Sequence, residues 1–313
     1  MNAVTVIIPT YPRPNPLIAC VRSIVGGAQL PNELIVVARE DDAPTKEALA
    51  QVRKLCEGKT TLREGWVTEP GHLPPVQKGL KLASGEIVAF VDDDVTVTGD
   101  WLNSLTAPFT VPSVGVVGGR VITATSQPAR FKGKPGCISW YGKHWGNVTS
   151  LEGNSPLDVE GAIECNWAWR RELLESLQFD PVLNFDDAAM YGLDLCLQAK
   201  RKGSRVLYEP RALVYHHVAP RPPGLDRADR PRRDLSYSRN YTYIMMKHLP
   251  WWRLPYFLVW WFLIGERGSW GLGAALADAV TGRGPRLSHL WRTFSGKVEG
   301  ILLSVSRAQT HGY

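Results

Sequence analysis

Cysteine is scarce and scattered. Cys20, Cys56, Cys137, Cys165 and Cys196 include no C-x-x-C pair, which argues against a zinc site or a disulfide framework and suits a reducing compartment. No run of about twenty apolar residues occurs, which excludes a polytopic membrane protein. No basic stretch precedes an apolar one at the start. Met-Asn-Ala-Val-Thr-Val-Ile-Ile-Pro-Thr reads as a first strand rather than a signal peptide, and the expectation is a cytoplasmic protein. No glycine period, heptad pattern or internal repeat is present, so collagen-like and coiled-coil architectures are excluded as well.

The 313 residues are 44% hydrophobic and 21% charged, enough for a packed core of one large domain or two ordinary ones. The net charge of +6 is concentrated: from Arg221 to Arg253 there are eight Lys and Arg against three Asp and Glu. Of twelve Trp, five lie between Trp251 and Trp270. Along the first half, short apolar runs (Val4–Ile8, Glu33–Val37, Leu62–Val67, Glu86–Val91) alternate with helical spacing (Pro16–Val25, Thr45–Leu55 with Thr45 as N-cap, Val76–Ala83). Such alternation predicts an α/β fold with a parallel sheet buried on both faces. Helices are expected over Ile163–Leu177 and Gly192–Lys202, and late strands over Arg205–Tyr208 and Ala212–Tyr215. A Pro/Arg/Asp-rich linker from Pro220 to Pro231 sets a boundary near 220, giving domains 1–220 and 221–313.

The fourth strand runs straight into Asp92-Asp93-Asp94. Adjacent carboxylates raise each other's pKa unless a cation relieves them, and ligands of α/β sheets bind at the carboxyl ends of strands. Alternate residues point the same way, so Asp92 and Asp94 can face one ligand. Hard oxygen donors there suit Mg²⁺ or Mn²⁺ bridging a diphosphate.

Val-Ile-Ile-Pro-Thr-Tyr at the start, Gly-Leu-x-x-Ala-x-Gly-Glu before a strand, and then Asp-Asp-Asp together resemble a family 2 glycosyltransferase. Cys165-Asn-Trp-Ala-Trp-Arg-Arg171 is similar to that family's Asn-x-Ala-Phe-Arg-Arg segment. Arg205-Val-Leu-Tyr-x-Pro-x-Ala-x-Val-x-His216 resembles its closing strand and histidine. The resemblance covers residues 3 to 217. It implies the GT-A fold, a Rossmann-like, mostly parallel sheet flanked by helices, and a metal-dependent, inverting transfer of sugar from a nucleotide donor to an acceptor hydroxyl. It places Pro9, Thr10 and Tyr11 against the donor base and ribose, Arg13 and Lys78 near the phosphates, and Asp41 or Asp42 at the nucleobase. The Asp92-Asp93-Asp94 element lies at the ribose and metal, with Asp92, Asp94 and His216 as metal ligands.

The same resemblance implies a Glu-Asp pair carrying the general base near Tyr191-Gly192, where this chain has no acid. Asp187 on the preceding loop and Asp194 within the helix are the candidates, since a base must reach the acceptor hydroxyl. Glu164, Asn166 and Trp167 fall on the acceptor side. Two other readings are a nucleotidyltransferase, which would need a glycine-rich loop where Pro9-Thr-Tyr-Pro-Arg-Pro stands, and a non-catalytic scaffold on a transferase fold, for which the missing pair speaks.

Beyond the linker, Leu254–Ile264 is eleven residues without a charge. As a helix it spans about 16 Å, too short to cross a bilayer. Trp270–Val280 is apolar, and Leu287–Val305 is amphipathic. Trp and Tyr beside basic residues favour an anionic membrane surface. The expectation is therefore a helical extension peripheral to the inner face of the plasma membrane, a lipid-linked or other glycan acceptor, and no nucleic-acid partner.

Overall fold

Runs of β-branched residues form strands whose two faces are both covered. The computed structural model describes residues 2–126, 135–144, 148–186, 188–218, 230–266, 269–281 and 287–311. The chain divides into two units. The first comprises Met1–Cys137, Gly146–Phe179 and Leu195–Leu225, and the second Ile138–Trp145, Asp180–Asp194 and Asp226–Tyr313. This differs from a single cut near residue 220, because two upstream segments cluster with the C-terminal helices. Residues 219–229, which include most of the expected linker, lie outside the described residues.

The first unit contains β1 (Val4–Pro9), α1 (Pro14–Ile24), β2 (Glu33–Arg39), α2 (Ala43–Cys56), β3 (Thr61–Val67), α3 (Leu73–Leu82), β4 (Ile87–Val91), β5 (Val95–Val97), α4 (Trp101–Thr106), β6 (Val114–Ile122), β7 (Leu157–Asp158), β8 (Asn166–Arg170) and α5 (Arg171–Glu175). It ends with α6 (Tyr191–Arg201), whose first turn belongs to the second unit, and β9 (Arg205–His216). The sheet order is β3-β2-β1-β4-β8-β6-β9-β5, with β7 also pairing β9. The first four strands are parallel, as βαβ crossovers require. β8 runs antiparallel between β4 and β6. Val6, Ile7, Ile8 and all of β4 are buried.

Two sequence expectations are corrected here. The segment expected as a helix over Ile163–Leu177 is β8 followed by the short α5. Its aromatics repeat every second residue, and Trp167 and Trp169 meet at 5.0 Å on one face of the sheet. Central pairing on both sides overrides local propensity. Helix α2 starts at Ala43 and is capped by Asp42, which accepts from the Thr45 amide at 3.0 Å; Thr45 is the donor, not the cap.

The second unit holds α7 (Arg230–His248), α8 (Leu254–Leu263), a small hairpin of β10 (Gly265–Glu266) and β11 (Ser269–Trp270), α9 (Leu272–Val280) and α10 (Leu287–His311). Gly296 and Gly300 let α10 lie directly on α7: a Cβ at Gly300 would sit 2.4 Å from the Arg239 carbonyl oxygen. Trp260 and Trp261 are core residues, and the Trp261 indole donates to the Thr242 hydroxyl at 2.7 Å. No described helix is long and apolar enough to cross a membrane.

Lys297 is fully buried in this unit. Its ammonium donates to the carbonyl oxygens of Trp261 and Trp270 and lies 4.3 Å from the Trp261 ring centre. Burial pushes its pKa down from 10.5 to about 7, against the opposing charge of Glu266. Between those values the unfolded chain holds a proton that the folded chain lacks, so stability should rise with pH across that window. Thermal melts at pH 7, 8 and 9 should show a rise in Tm that Lys297→Met lacks; equal profiles would mean that Lys297 stays charged when folded.

Candidate active site

The site grows from the register of adjacent strands. β1 and β4 pair in parallel with Ile7 opposite Phe90, so the loops that follow them emerge side by side. The first loop carries Thr10 and Arg13 and the second Asp92-Asp93-Asp94. Asp93 points inward and is fully buried. It accepts from the Thr10 hydroxyl at 2.6 Å and from Arg13 Nε at 3.2 Å, and pairs with a second Arg13 nitrogen. Burial pushes its carboxyl up to about 7, against the pull of Arg13 and the Thr10 hydroxyl. The remaining arm of Arg13 donates to Asp94 Oδ2 at 2.6 Å. The guanidinium expected at a phosphate thus bridges two carboxylates.

β5 returns antiparallel to β9 with Val95 opposite His216, which brings His216 beside Asp94. His216 Nε2 lies 3.0 Å from Asp94 Oδ1. The ligand atoms of Asp92, Asp94 and His216 all fall within 4.8 Å of one another. Two lone-pair donors aimed at one point require a ring proton or a cation between them. Two carboxylates and an imidazole fit a divalent ion of the Mn²⁺ or Mg²⁺ class. His217 turns away and meets the Thr96 hydroxyl at 2.8 Å.

At the carboxyl ends of β1 and β2 a second cluster forms. Pro9 closes β1 opposite Val37, and the Thr10 amide donates to the Val37 carbonyl at 2.9 Å. The Arg39 guanidinium lies 4.5 Å over the Tyr11 ring and pairs with Asp41 at 2.5 Å. Arg39 was missed in the sequence; an Arg at the last position of a buried strand, two residues before an acid, was the available signal.

A family model described as "Glycosyl transferase family 2" matches residues 5–178, more than half of the chain. The chain belongs to glycosyl transferase family 2. Over 143 residues it is 30% identical to the pre-mycofactocin glycosyltransferase of Mycobacterium tuberculosis, covering 44% of this chain and 28% of that one. The chain spans about a quarter of the length of the curated relatives it matches, 27% and 28%. Among solved structures, the mannosyltransferase PcManGT of Pyrobaculum calidifontis, in complex with GDP-Man and Mn²⁺, superposes with a TM-score of 0.59 at 18% identity, covering 97% of this chain and 87% of that one. GalNAc-T7 with UDP, GalNAc and Mn²⁺ reaches 0.59 at 15% identity, covering 78% and 48%. At those identities the likeness shows the fold, the GT-A sheet flanked by helices.

Several residues of this family 2 chain take structural places instead of the expected ones. Asp42 is a buried helix cap, also bonded to the Thr45 hydroxyl at 2.6 Å, rather than a nucleobase contact. Lys78 is half-buried on α3, its stem facing Gly65 of β3. Trp167 is fully buried against Trp169 and Phe90 and is no acceptor platform. Asn166 is equally buried. Between Gly119 and Arg120 the pairing of β6 with β9 jumps from Glu209 to Leu213. The Asn166 amide satisfies that gap by donating to the carbonyls of Arg120 and Ala212 at 3.0 and 2.9 Å, while its oxygen accepts from the Trp101 indole at 2.8 Å. Glu164 is half-exposed just ahead of β8.

In the second unit Asp194 is buried, 2.7 Å from His248 Nε2 and 2.9 Å from Lys247 Nζ. Burial works to raise its pKa, but His248 and Lys247 hold it below the ordinary carboxylate value. A carboxylate so engaged is a poor proton acceptor. Asp187 lies outside the described residues. The residues around it, Asp186, Ala188 and Met190, all have positive φ (54°, 51° and 68°), a conformation that non-glycine residues adopt at a cost.

Asn166→Ala should strand two buried carbonyls and the indole donor. The expected loss is about 2–4 kcal/mol of stability, read by denaturant unfolding, with nucleotide affinity of the surviving folded protein unchanged. A variant of normal stability but weakened turnover would return Asn166 to the acceptor site.

Proposed function

We propose that this chain is a metal-dependent, inverting glycosyltransferase that moves a sugar from a nucleoside-diphosphate sugar to an acceptor hydroxyl. The observation that carries this reading is the convergence of Asp92, Asp94 and His216 beside the Tyr11, Arg39 and Asp41 cluster at the strand ends. The Tyr11 ring, backed by the Arg39 guanidinium, offers an apolar face to a nucleobase, and Asp41 accepts from its N–H groups. Asp92, Asp94 and His216 would hold Mn²⁺ or Mg²⁺. When bound, the ion supplies positive charge to a diphosphate leaving group. Arg13 keeps the Asp93 and Asp94 carboxylates in place before any ligand arrives, which lowers the ordering cost of binding.

Inversion needs one displacement: a base removes the acceptor proton as the hydroxyl attacks the anomeric carbon from the side opposite the diphosphate. Asp187 is the proposed base, since the lone pairs of Asp194 face Lys247 and His248. Glu164 is proposed on the acceptor side. A lipid-linked or cell-surface polysaccharide as acceptor accounts for the apolar, basic C-terminal segment, which would place the enzyme on the cytoplasmic face of an anionic membrane. A non-catalytic binding protein is the second reading, favoured by Gly192 at the position where the resemblance implies an acid.

A thermal-shift panel of nucleoside diphosphates and their sugars, with and without Mn²⁺, should give a Mn²⁺-dependent rise in Tm for one base. Asp94→Asn should remove the Mn²⁺-dependent part. A shift indifferent to both metal and Asp94 would sink the metal assignment. In a coupled assay of nucleoside-diphosphate release, Asp187→Asn should lower kcat by about 10²–10⁴ with donor binding retained. An unchanged rate removes Asp187 from the chemistry, and donor binding without release by the wild type under any acceptor favours the binding protein.

A further inference from the structure

The apolar residues of the second unit divide into two sets: those that build its core, and those that three helices turn to solvent in stripes. On α10, Leu287, Trp291, Val298, Leu302 and Val305 are exposed. At 3.6 residues per turn they fall within an arc of roughly 60°, and no charged residue shares that arc. Gly296 and Gly300 hold another part of the same helix against α7, so the stripe cannot be covered by its own neighbour. On α8, Tyr256, Val259 and Leu263 follow one another at i, i+3 and i+7, continuing the exposed Trp252. On α9, Leu272, Leu276 and Val280 do so at i, i+4 and i+8, Val280 being 87% exposed.

The helices that carry the stripes meet at two places. Phe262 of α8 and Phe294 of α10, both half-buried, meet edge-on at 5.3 Å. At the start of α9, a Cβ on Gly273 would lie 3.1 Å from the Leu263 carbonyl oxygen at the end of α8. Monomeric proteins rarely expose so much contiguous apolar surface without a partner.

Charge decides which partner. Residues 226–313 carry 13 Lys and Arg against 6 Asp and Glu, a surplus of seven in a chain whose total is +6. The rest of the chain is therefore slightly negative. A unit of that charge repels a second copy of itself and is attracted to an anionic surface. Trp251, at 83% exposure, Trp291 and Tyr256 are side chains that favour the headgroup level. The α10 stripe runs about 27 Å along the helix, but Arg292, Lys297 and Glu299 interrupt the remainder of its circumference, so the helix suits lying in an interface and not crossing one.

We propose that the stripes of α8, α9 and α10 form one docking surface for the interfacial region of an anionic lipid bilayer. This gives residues to the membrane part of the proposed function and rests on that reading only for the choice of the cytoplasmic leaflet. The three helices insert their exposed aliphatic and aromatic side chains to the depth of the headgroup boundary, while the net positive charge of the unit is attracted to the lipid phosphates. Of the five tail tryptophans, Trp260 and Trp261 are core and contribute no contact to lipid.

The 313-residue chain should cosediment with vesicles of phosphatidylcholine containing about one-third phosphatidylglycerol, at least about tenfold more strongly than with phosphatidylcholine alone. The double variants Leu302→Glu/Val305→Glu and Leu276→Glu/Val280→Glu should each lose about tenfold or more of that binding. Both should keep the wild-type thermal shift with nucleoside diphosphate, which reports an intact fold; a pair that fails this control is replaced by Trp291→Ser/Val298→Ser. Wild-type binding indifferent to lipid charge, or folded variants that bind as wild type, would overturn the proposal. So would a dimer in light scattering that the same variants abolish, since the occupant would then be a second copy. Vesicle binding that persists in a protein showing no nucleotide shift would instead count against the transferase reading and leave the docking surface standing.

Discussion

Three adjacent carboxylates at the end of a buried strand repel one another, and the first unit is arranged around relieving that repulsion. The relief is local and comes from loops that strand order makes adjacent. Because β1 pairs with β4, the Arg13 guanidinium reaches both Asp93 and Asp94. Because β5 folds back on β9, His216 arrives at the other carboxylate oxygen of Asp94. One arginine serves as a fixed counter-charge to both carboxylates. The same arrangement explains the alternation in role along the triplet: Asp93 is buried as part of the frame, while Asp92 and Asp94 converge with His216.

The second unit poses the opposite problem, an excess of apolar surface. Small residues at Gly296 and Gly300 bring α10 onto α7, and Lys297 is buried with its side-chain nitrogen held by carbonyls and ring faces. Buried polar groups of this kind are costly unless satisfied, and Asp180 is an example: Tyr243, Lys247 and Arg307 surround it. What the core does not consume is exposed as an apolar stripe on each of α8, α9 and α10. A helix with two apolar faces needs two partners, and α10 has one within its own unit.

Much of the sheet was legible from spacing alone. The runs Val4–Ile8, Glu33–Val37 and Glu86–Val91 can be buried only on both faces, and such runs form parallel strands. Asp92-Asp93-Asp94 was legible as a candidate because three adjacent carboxylates repel one another unless cations relieve them. The segment around Asn166 was not legible. Its polar residue reads as a contact for ligand, but the demand it meets is an unpaired stretch of β6 and β9 far away in sequence. Asp42 misled for the same kind of reason, since an acid near a strand end serves equally well as a helix cap. Asp194 sits two residues from where a base was sought, and only the return of α7 with Lys247 and His248 reveals its ion pairs.

The division between the two kinds of information follows range. Periodicity, charge density and the order of motifs determined the α/β class, the family resemblance, the carboxylate triplet and the existence of a basic, aromatic extension, because each depends on neighbours within a few turns or strands. Tertiary structure decided which acid of the triplet is buried in the frame and which two converge with His216, which tryptophans are core and which face solvent, and that segments 138–145 and 180–194 belong with the C-terminal helices. Those outcomes depend on partners dozens of residues away, whose hydrogen bonds and packing leave no trace in local sequence pattern.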